Sequence, residues 1–475
     1  MMLRLLVLLA GGAAAVWSFR RWRGAVQAAL VLLIFEGAIR KWLVPGAQDL
    51  IYFAKDVLLL GAYLGFLRDL PRVRHRPPAL PAFYGVLVLS ALFGLLEVFN
   101  PNLPSLLLGA LGFKSYFFYV PLMFVLPAVF PDDAALARAM RKYLLIAIPV
   151  GLLATAQFFS PAGSPLNTYA RAGEDVSSIV TFGSSTFVRV TGTFSFISGF
   201  TAYLLAMSIL LLAWLAGTRW RFRGNLLILS ALGLVLLAML MTGSRGPLVS
   251  FVLILPIYWL LAIVRERQGG ATFFRLFAGL ALIALVVSQT GGAAVGAFRG
   301  RASNTETEVT QRMLTPLETP LRVLPDAGLA GFGIGATHQA AMSLVGGVPF
   351  YWLRGLAVEV ETGRVMIELG PLGFLLVYFL RLYLAVYAFQ QVLRLKTPFH
   401  RTLATACMLF FLTAIPTNVV FDVTAGMYFW AFGGLLMTAV ALDRKSPRPA
   451  VVRTRAVAPP ARPAAAALPM PESVR

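Results

Sequence analysis

The chain has few residues that could form a disulfide or bind a metal. Its 475 residues include one cysteine and three histidines. One cysteine cannot form an intrachain disulfide or build a zinc site on thiolates. Cys407 lies inside an apolar run, where we expect it to pack as a small hydrophobic residue. No histidine stands at metal-ligand spacing from a carboxylate cluster, so we predict neither a metal nor a cofactor.

Charged residues are also scarce, and acidic ones are the scarcer kind. They make up 13% of the chain, with 20 acidic against 41 basic side chains. Hydrophobic residues make up 59%, and the mean hydropathy is +0.78. A soluble domain cannot bury that much apolar surface. Because the apolar runs are continuous rather than alternating, they exclude a membrane β-barrel and predict an all-α polytopic membrane protein.

Apolar runs close to membrane-crossing length recur along the chain. They predict about 12 to 13 transmembrane helices and one long loop that carries short helices. The candidate spans are 3–19, 25–39, 49–67, 79–99, 113–130, 143–160, 194–217, 226–242, 247–264, 272–290, 371–390, 402–416 and 424–442.

The basic residues cluster in the short connections between these spans. The clusters fall at every second connection, and the tail from Arg444 is basic too. The positive-inside rule places this set and the C-terminus in the cytoplasm. It accounts for the net charge of +21, so we expect membrane lipids and no nucleic acid as partners. Loop 161–193, the turn at 244–246 and segment 291–370 then share the opposite side.

The pattern divides the chain into four regions. Residues 1–160 are N-terminal transmembrane helices, 161–390 a core, 391–442 the C-terminal transmembrane helices, and 443–475 a disordered basic tail. Within the core, segment 291–370 is long but not of low complexity. We therefore expect it to form ordered helices on the outer membrane surface.

Two arginines on that side suit an anionic ligand. Arg245 stands in Thr242-Gly243-Ser244-Arg245-Gly246 between two apolar runs, and Arg189 stands three residues before Gly192 at a span entry. Charge at such a place is costly unless it meets an anion or water. One guanidinium group can bind two phosphate oxygens at once. The two arginines together can therefore neutralise a diphosphate. The alternative is a pair of arginines among lipid headgroups.

A charged stretch beside the membrane offers groups for acid–base chemistry. If it is helical, Glu361, Arg364 and Glu368 share one face. Glu359 and Glu361 are candidate general bases, with Arg364 holding the substrate or the carboxylate. The alternative is an ion-paired surface helix. His338, the one histidine on this side, is either a further catalytic candidate or a solvated loop residue.

Ionisable groups also occur inside the candidate spans. Glu36 and Arg40 are four residues apart, and we predict that they form one buried network with Lys55 and Asp56. The alternative is a transporter in which protons pass along the carboxylates of Asp56, Glu97 and Asp422. No internal repeat is evident, which counts against a secondary transporter.

Four segments, in the order in which they follow one another along the chain, resemble motifs of the O-antigen ligase and O-antigen polymerase superfamily. The matching segments are Arg189–Phe194, Thr242–Gly246, Gly331–Gly335 and Glu368–Gly373, and the resemblance covers roughly residues 180–390. The early segment Glu36–Trp42 also resembles members of this group.

The resemblance implies a metal-independent glycosyltransferase of the bacterial inner membrane, active on the periplasmic face. Its donor would be a polyprenyl-diphosphate-linked glycan, and its acceptor a glycan or lipid. Arginines matching Arg189 and Arg245 are the family's diphosphate contacts. A histidine usually precedes the glutamate of the Glu-Leu-Gly segment by about nine residues, and here that position is Glu359. Glu359, Glu361 or His338 would therefore take its role.

The sequence thus predicts a ligase or polymerase of bacterial surface polysaccharide. Two alternatives stay open at this point. The first alternative is a transporter or flippase of lipid-linked saccharide, and the second is a non-catalytic partner in the same pathway.

Overall fold

The computed structural model describes residues 2–72, 78, 80–169, 181–182, 187–218, 222–265, 292–303, 306–341, 344 and 358–445. Across these residues the regular structure is helical, and it consists of α-helices, a π-helix at Ile39–Leu43 and three short 3-10 helices at Pro45–Ala47, Leu70–Arg72 and Pro165–Asn167. One isolated bridge joins Thr181 and Val188. Seven of the described helical segments are long and apolar enough to cross a membrane, or eight if one bent pair counts as a span. The chain is therefore a polytopic α-helical membrane protein.

The helices are numbered in chain order. They are α1 (Met2–Arg20), α2 (Trp22–Ala38), α3 (Gln48–Tyr52), α4 (Ala54–Asp69), α5 (Pro81–Glu97), α6 (Leu106–Phe117), α7 (Leu122–Val129), α8 (Asp133–Leu145), α9 (Ala147–Phe159), α10 (Ile197–Gly217), α11 (Phe222–Met241), α12 (Arg245–Arg265), α13 (Gly292–Ser303), α14 (Glu306–Ala327), α15 (Glu361–Arg394), α16 (Pro398–Ala414) and α17 (Val423–Lys445).

Most predicted spans correspond to one of these helices. The span at 113–130 is the bent pair α6 and α7, which meet at 45°. The span at 371–390 belongs to α15, which begins ten residues earlier, at Glu361. The predicted span at 272–290 and the tail beyond 445 lie outside the described residues.

Local sequence explains several helix boundaries. The Ser105 hydroxyl accepts from the amide of Leu107 and starts α6, and Asp132 accepts from the amide of Ala135 and starts α8. Helix α15 kinks at Gly370, whose φ of 61° is in the left-handed region. Pro371 follows it and cannot donate an amide hydrogen, so the kink is fixed by two adjacent residues.

The core lies around α10 and α17. Some 78% and 83% of their respective apolar stretches are buried inside the protein, against 6% for α1. Helix α10 packs on α11, α16 and α17, whereas α1 packs mainly on α4. Helix α1 therefore lies at the periphery, where its leucines face lipid.

One end of the bundle, called here the upper end, gathers the predicted motifs. There α2 ends beside the start of α10, since Arg40 Nη1 donates to Ser195 Oγ at 2.9 Å. The amide of Val190 donates to the carbonyl of Met241 at 3.2 Å, which joins the entry to α10 to the turn after α11. The amide of Ile334 donates to the carbonyl of Glu97 at 3.3 Å. The described parts of the three segments predicted to share one side thus lie at the same end.

A buried histidine joins three helices at the opposite end. His400, at the start of α16, contacts Asp443 through Nδ1 at 3.2 Å and Asp133 through Nε2 at 2.8 Å. Asp443 also accepts from the amide of Thr397 at 2.9 Å. These contacts tie the ends of α8, α16 and α17 together far from the motifs.

We expect Gly370→Ala to lower the free energy of unfolding by about 1–3 kcal/mol, because an added Cβ is strained at positive φ. It would also meet the carbonyl of Leu329. Thermal unfolding in mild detergent measures this. The matched control is Gly85→Ala inside α5, where nothing lies within 4 Å of the added carbon. Equal melting temperatures for the two variants would contradict the assignment of the kink.

Candidate functional site

A cavity of about 530 Å³ opens at the upper end, where seven chain segments meet. It is bounded by the end of α2, the start of α4 with α3, the middle of α6, the entry to α10, loop 338–340, the start of α15 and the entry to α17. Its charged lining comprises four basic and three acidic side chains: Arg40, Lys55, Lys114 and Arg364, with Glu36, Asp49 and Asp422.

Part of this lining is the predicted buried network. Lys55 Nζ lies 2.6 Å from Glu36 Oε2, and Arg40 Nη1 lies 3.7 Å from Glu36 Oε1. Asp56 pairs with Lys114 Nζ at 2.6 Å and accepts from the Tyr119 hydroxyl. The predicted pairing of Glu36 with Arg40 and Lys55 is confirmed, whereas Asp56 pairs with Lys114 of α6. Pairing offsets the cost of placing these charges among apolar helices.

Three of the cations surround one aromatic ring. The Tyr52 ring centroid lies 5.3 Å from Arg40 Cζ, 4.5 Å from Lys55 Nζ and 5.1 Å from Lys114 Nζ. Each distance is short enough for attraction by the electron-rich face of the ring. Glu36 and Asp56 pair with these cations. Asp49 of α3 adds a third acidic group to the lining, so the charge on this wall of the cavity is balanced.

Arg364 supplies a fourth cation from the first turn of α15. Its Nε donates to Thr337 Oγ1 at 3.1 Å, its Nη2 donates to the Thr337 carbonyl, and its Cζ lies 3.5 Å above the Phe421 ring centroid. Within the described part of the chain it makes no ion pair with a carboxylate inside 4 Å. Its charge is therefore available to an anion in the cavity.

His338 lies between these cations. Its Nδ1 accepts from the amide of Ala340 at 3.1 Å, so the neutral ring carries its hydrogen on Nε2. Burial lowers the pKa of His338 to about 4, with further lowering by Arg364 and Lys114. The ring is neutral at pH 7 and offers a hydrogen-bond donor. As a catalytic candidate, His338 is therefore placed to donate a hydrogen bond rather than to act as a general base.

A buried carboxylate holds loop 328–341 in place. Glu368 Oε1 accepts from the Thr337 amide and hydroxyl at 2.8 and 2.6 Å, and Oε2 accepts from the Tyr116 hydroxyl at 3.0 Å. The carbonyl of Glu368 accepts from the amide of Gly333. Glu368 therefore positions Thr337, and Thr337 in turn orients Arg364. The Glu-Leu-Gly motif acts here through the loop rather than by reaching the cavity.

Glu361 is likewise committed to structure. Its carboxylate is fully buried, pairs with Arg381 and accepts from the amides of Val419 and Val420 at 2.6 and 2.7 Å. It is not part of the cavity lining. Arg381 and the two amides occupy its oxygens, so the carboxylate is not placed to accept a proton from a substrate. We therefore do not retain Glu361 as the catalytic base.

Glu359 and the two predicted diphosphate arginines also lie outside the lining. Glu359 is exposed to solvent, two residues before α15. Arg189 Nε donates to the carbonyl of Thr242 at 2.9 Å and its Nη2 to Ser244 Oγ at 3.2 Å. The Arg189 motif and the Arg245 turn thus meet, as predicted. Arg189 uses its donors to hold the turn that begins α12.

Asp422 is a site residue that the sequence suggested only as part of a proton path. It lines the cavity, and its Oδ1 accepts from the amide of Ala425 at 3.0 Å at the start of α17. Burial raises the pKa of the Asp422 carboxyl, although donors from Ala425 and Ser198 oppose this. A fixed carboxyl with a raised pKa suits proton transfer near neutral pH. Its position as a helix cap was the available signal in the sequence.

No model of a known protein family and no curated protein matches the chain.

We expect Glu361→Ala to lower the free energy of unfolding by about 3–5 kcal/mol, because it leaves the charge of Arg381 buried and unpaired. Denaturation in detergent measures the loss. Exposed Glu359→Ala is the control and should change stability by less than about 0.5 kcal/mol. Adding Arg381→Met to Glu361→Ala should restore part of the stability. Equal stability of the two single variants would refute the structural role of Glu361.

Stability should depend on the protonation of His338. Its pKa is about 4 when folded against an ordinary 6.5. Because the folded pKa is the lower one, the contribution is complete above the unfolded pKa and is lost as pH falls from 6.5 toward 4. The melting temperature of the wild type should fall more steeply across this window than that of His338→Gln. Parallel curves would contradict the lowered pKa.

Proposed function

We propose that the chain is a metal-independent glycosyltransferase of the bacterial inner membrane, with its active face in the periplasm and its C-terminus in the cytoplasm. It transfers or polymerises a glycan carried on polyprenyl diphosphate, as O-antigen ligases and polymerases do. The observation that carries the proposal is the cavity itself. Four cations, three acidic side chains and a neutral histidine line it at the end of a membrane-helix bundle.

The donor's diphosphate fits the cationic part of this lining. Arg364 has no carboxylate partner within 4 Å among the described residues, and Lys114 and Arg364 both act on His338 electrostatically. Guanidinium and ammonium groups stabilise the charge that develops on a leaving diphosphate. His338 Nε2–H adds a donor without a competing positive charge. The resemblance gives this role to Arg189 and Arg245, but the cavity lining favours Arg364, Lys114 and Arg40.

Asp422 is the best-placed general base. Its carboxylate takes the proton from an acceptor hydroxyl, whose oxygen forms the new bond to the anomeric carbon. The bond from that carbon to the diphosphate oxygen breaks, and polyprenyl diphosphate leaves. Asp49 also lines the cavity but is exposed to solvent, and no described hydrogen bond fixes its carboxylate as Ala425 fixes that of Asp422.

Purified protein in liposomes, given a polyprenyl-diphosphate oligosaccharide and an acceptor, tests the proposal by product formation. We expect Arg364→Ala to lower kcat/KM by about 10²- to 10³-fold, as for loss of a donor to developing negative charge. Asp422→Asn should lower kcat by about 10²- to 10⁴-fold.

Two variants outside the cavity serve as controls. Arg322→Ala removes an exposed arginine of α14, and Glu359→Gln alters the exposed carboxylate near α15. Both should retain full activity. Full activity of Arg364→Ala and Asp422→Asn would remove the cavity from the mechanism. Donor movement across the bilayer without glycan transfer would instead identify a transporter of lipid-linked saccharide.

A further inference from the structure

Helix α14 has an apolar face that no described part of the chain covers. Leu317 and Leu321 are each 71% exposed, and Leu314 and Leu324 continue the row at spacings of three residues on either side. Spacings of three and four residues place all four leucines on one face of the helix. Four aligned, exposed leucines are a surface that water does not favour.

The other faces of α14 have different surroundings. Thr319, Val323 and Ala327 are buried, and α14 packs on α15. Charged side chains occupy an exposed edge between the buried face and the leucines, and they are Glu318, Arg322 and Asp326. The helix therefore has one face toward the protein, one toward water and one apolar face. Helices that lie in a membrane interface have this arrangement.

Helix α15 marks where the bilayer lies. Beyond the kink at Gly370 it exposes an apolar row at alternating spacings of three and four residues: Leu372, Leu375, Phe379, Leu382, Val386, Phe389 and Leu393. At 1.5 Å per residue this row is about 32 Å long, and the hydrocarbon core of a bilayer is about 30 Å thick. The lipid-facing surface of α15 therefore begins next to the kink.

The C-terminal end of α14 lies at that level. Helix α14 ends at Ala327, and two residues later the carbonyl of Leu329 lies beside Gly370. Leu329 is 83% exposed. The loop that follows contacts the end of α5, where Leu96 and Phe99 are 70% and 68% exposed. Exposed apolar residues therefore lie at the end of α14, at the kink of α15 and at the end of α5, which the loop after α14 joins.

We propose that α14 is an interfacial helix whose leucines and Leu329 insert into the boundary between the headgroups and acyl chains of a phospholipid monolayer. Its charged edge faces water, and its buried face rests on the upper part of α15. Because α14 leads directly into loop 328–341, the membrane surface also anchors the loop that carries His338 to the cavity. This inference does not depend on the reaction proposed above.

Nitroxide labels on the full-length protein in phosphatidylcholine–phosphatidylglycerol liposomes test the proposal. Cys407 is buried, and replacing it by alanine gives a background without cysteine. Labels at Leu317→Cys and Leu321→Cys should collide several-fold more often with oxygen, which concentrates in lipid, than with a water-soluble nickel chelate. Labels at the matched positions Arg322→Cys and Asp326→Cys should show the reverse preference.

Either of two results would overturn the inference. Preference for the nickel chelate at Leu317 and Leu321 would place the leucines in water. Dipolar broadening between labels at Leu317, lost on dilution with unlabelled protein, would show that a second copy of the chain covers this face. Because four exposed positions are compared, one variant that fails to fold does not prevent the measurement.

Discussion

Charge buried among apolar helices must be paired, and this constraint organises the upper end of the protein. The carboxylate of Glu361 illustrates it, since it pairs with Arg381 and accepts from the amides of Val419 and Val420. One side chain thereby fixes α15 to the segment that enters α17. That segment carries Phe421 and Asp422 to the cavity. Removing such a partner leaves an uncompensated charge, so the geometry of the cavity depends on the pair.

The same constraint separates charges that hold structure from charges that can meet a ligand. Glu36 neutralises Lys55, and Glu368 has three hydrogen-bond donors of its own. Arg364 differs, because Thr337 and the ring of Phe421 orient it and no carboxylate of the described residues lies within 4 Å of its nitrogens. A guanidinium oriented in this way is preorganised for an anion, and preorganisation is the main source of electrostatic catalysis. This contrast is the reason for assigning the diphosphate of the proposed donor to Arg364.

Sequence patterns anticipated the fold better than the site. The apolar runs located most helices, and the i, i+4 spacing of Glu36 and Arg40 correctly pointed to a buried network. Of the six residues singled out for chemistry, His338 and Arg364 line the cavity, whereas Glu359 and Glu361 do not. The sequence near Glu361 predicts a charged helix start, but it does not distinguish carboxylates that face solvent from carboxylates that face a substrate or Arg381. Only the kink of α15 at Gly370, which brings Glu361 to Arg381, and the position of the amides of Val419 and Val420 separate these cases.

The sequence by itself determined that the chain crosses a membrane as helices. The length of an apolar run and the spacing of basic residues are local properties, and they decide whether a segment spans a bilayer and how it is oriented. It also determined that the arginine and glycine motifs share one end. The tertiary structure decided which polar groups converge, since Lys114, Ser195, His338, Arg364 and Asp422 come from five separate segments. Their convergence depends on close helix contacts, such as that of Gly37 with the backbone at Ser195. Such contacts are three-dimensional, and no spacing along the chain encodes them.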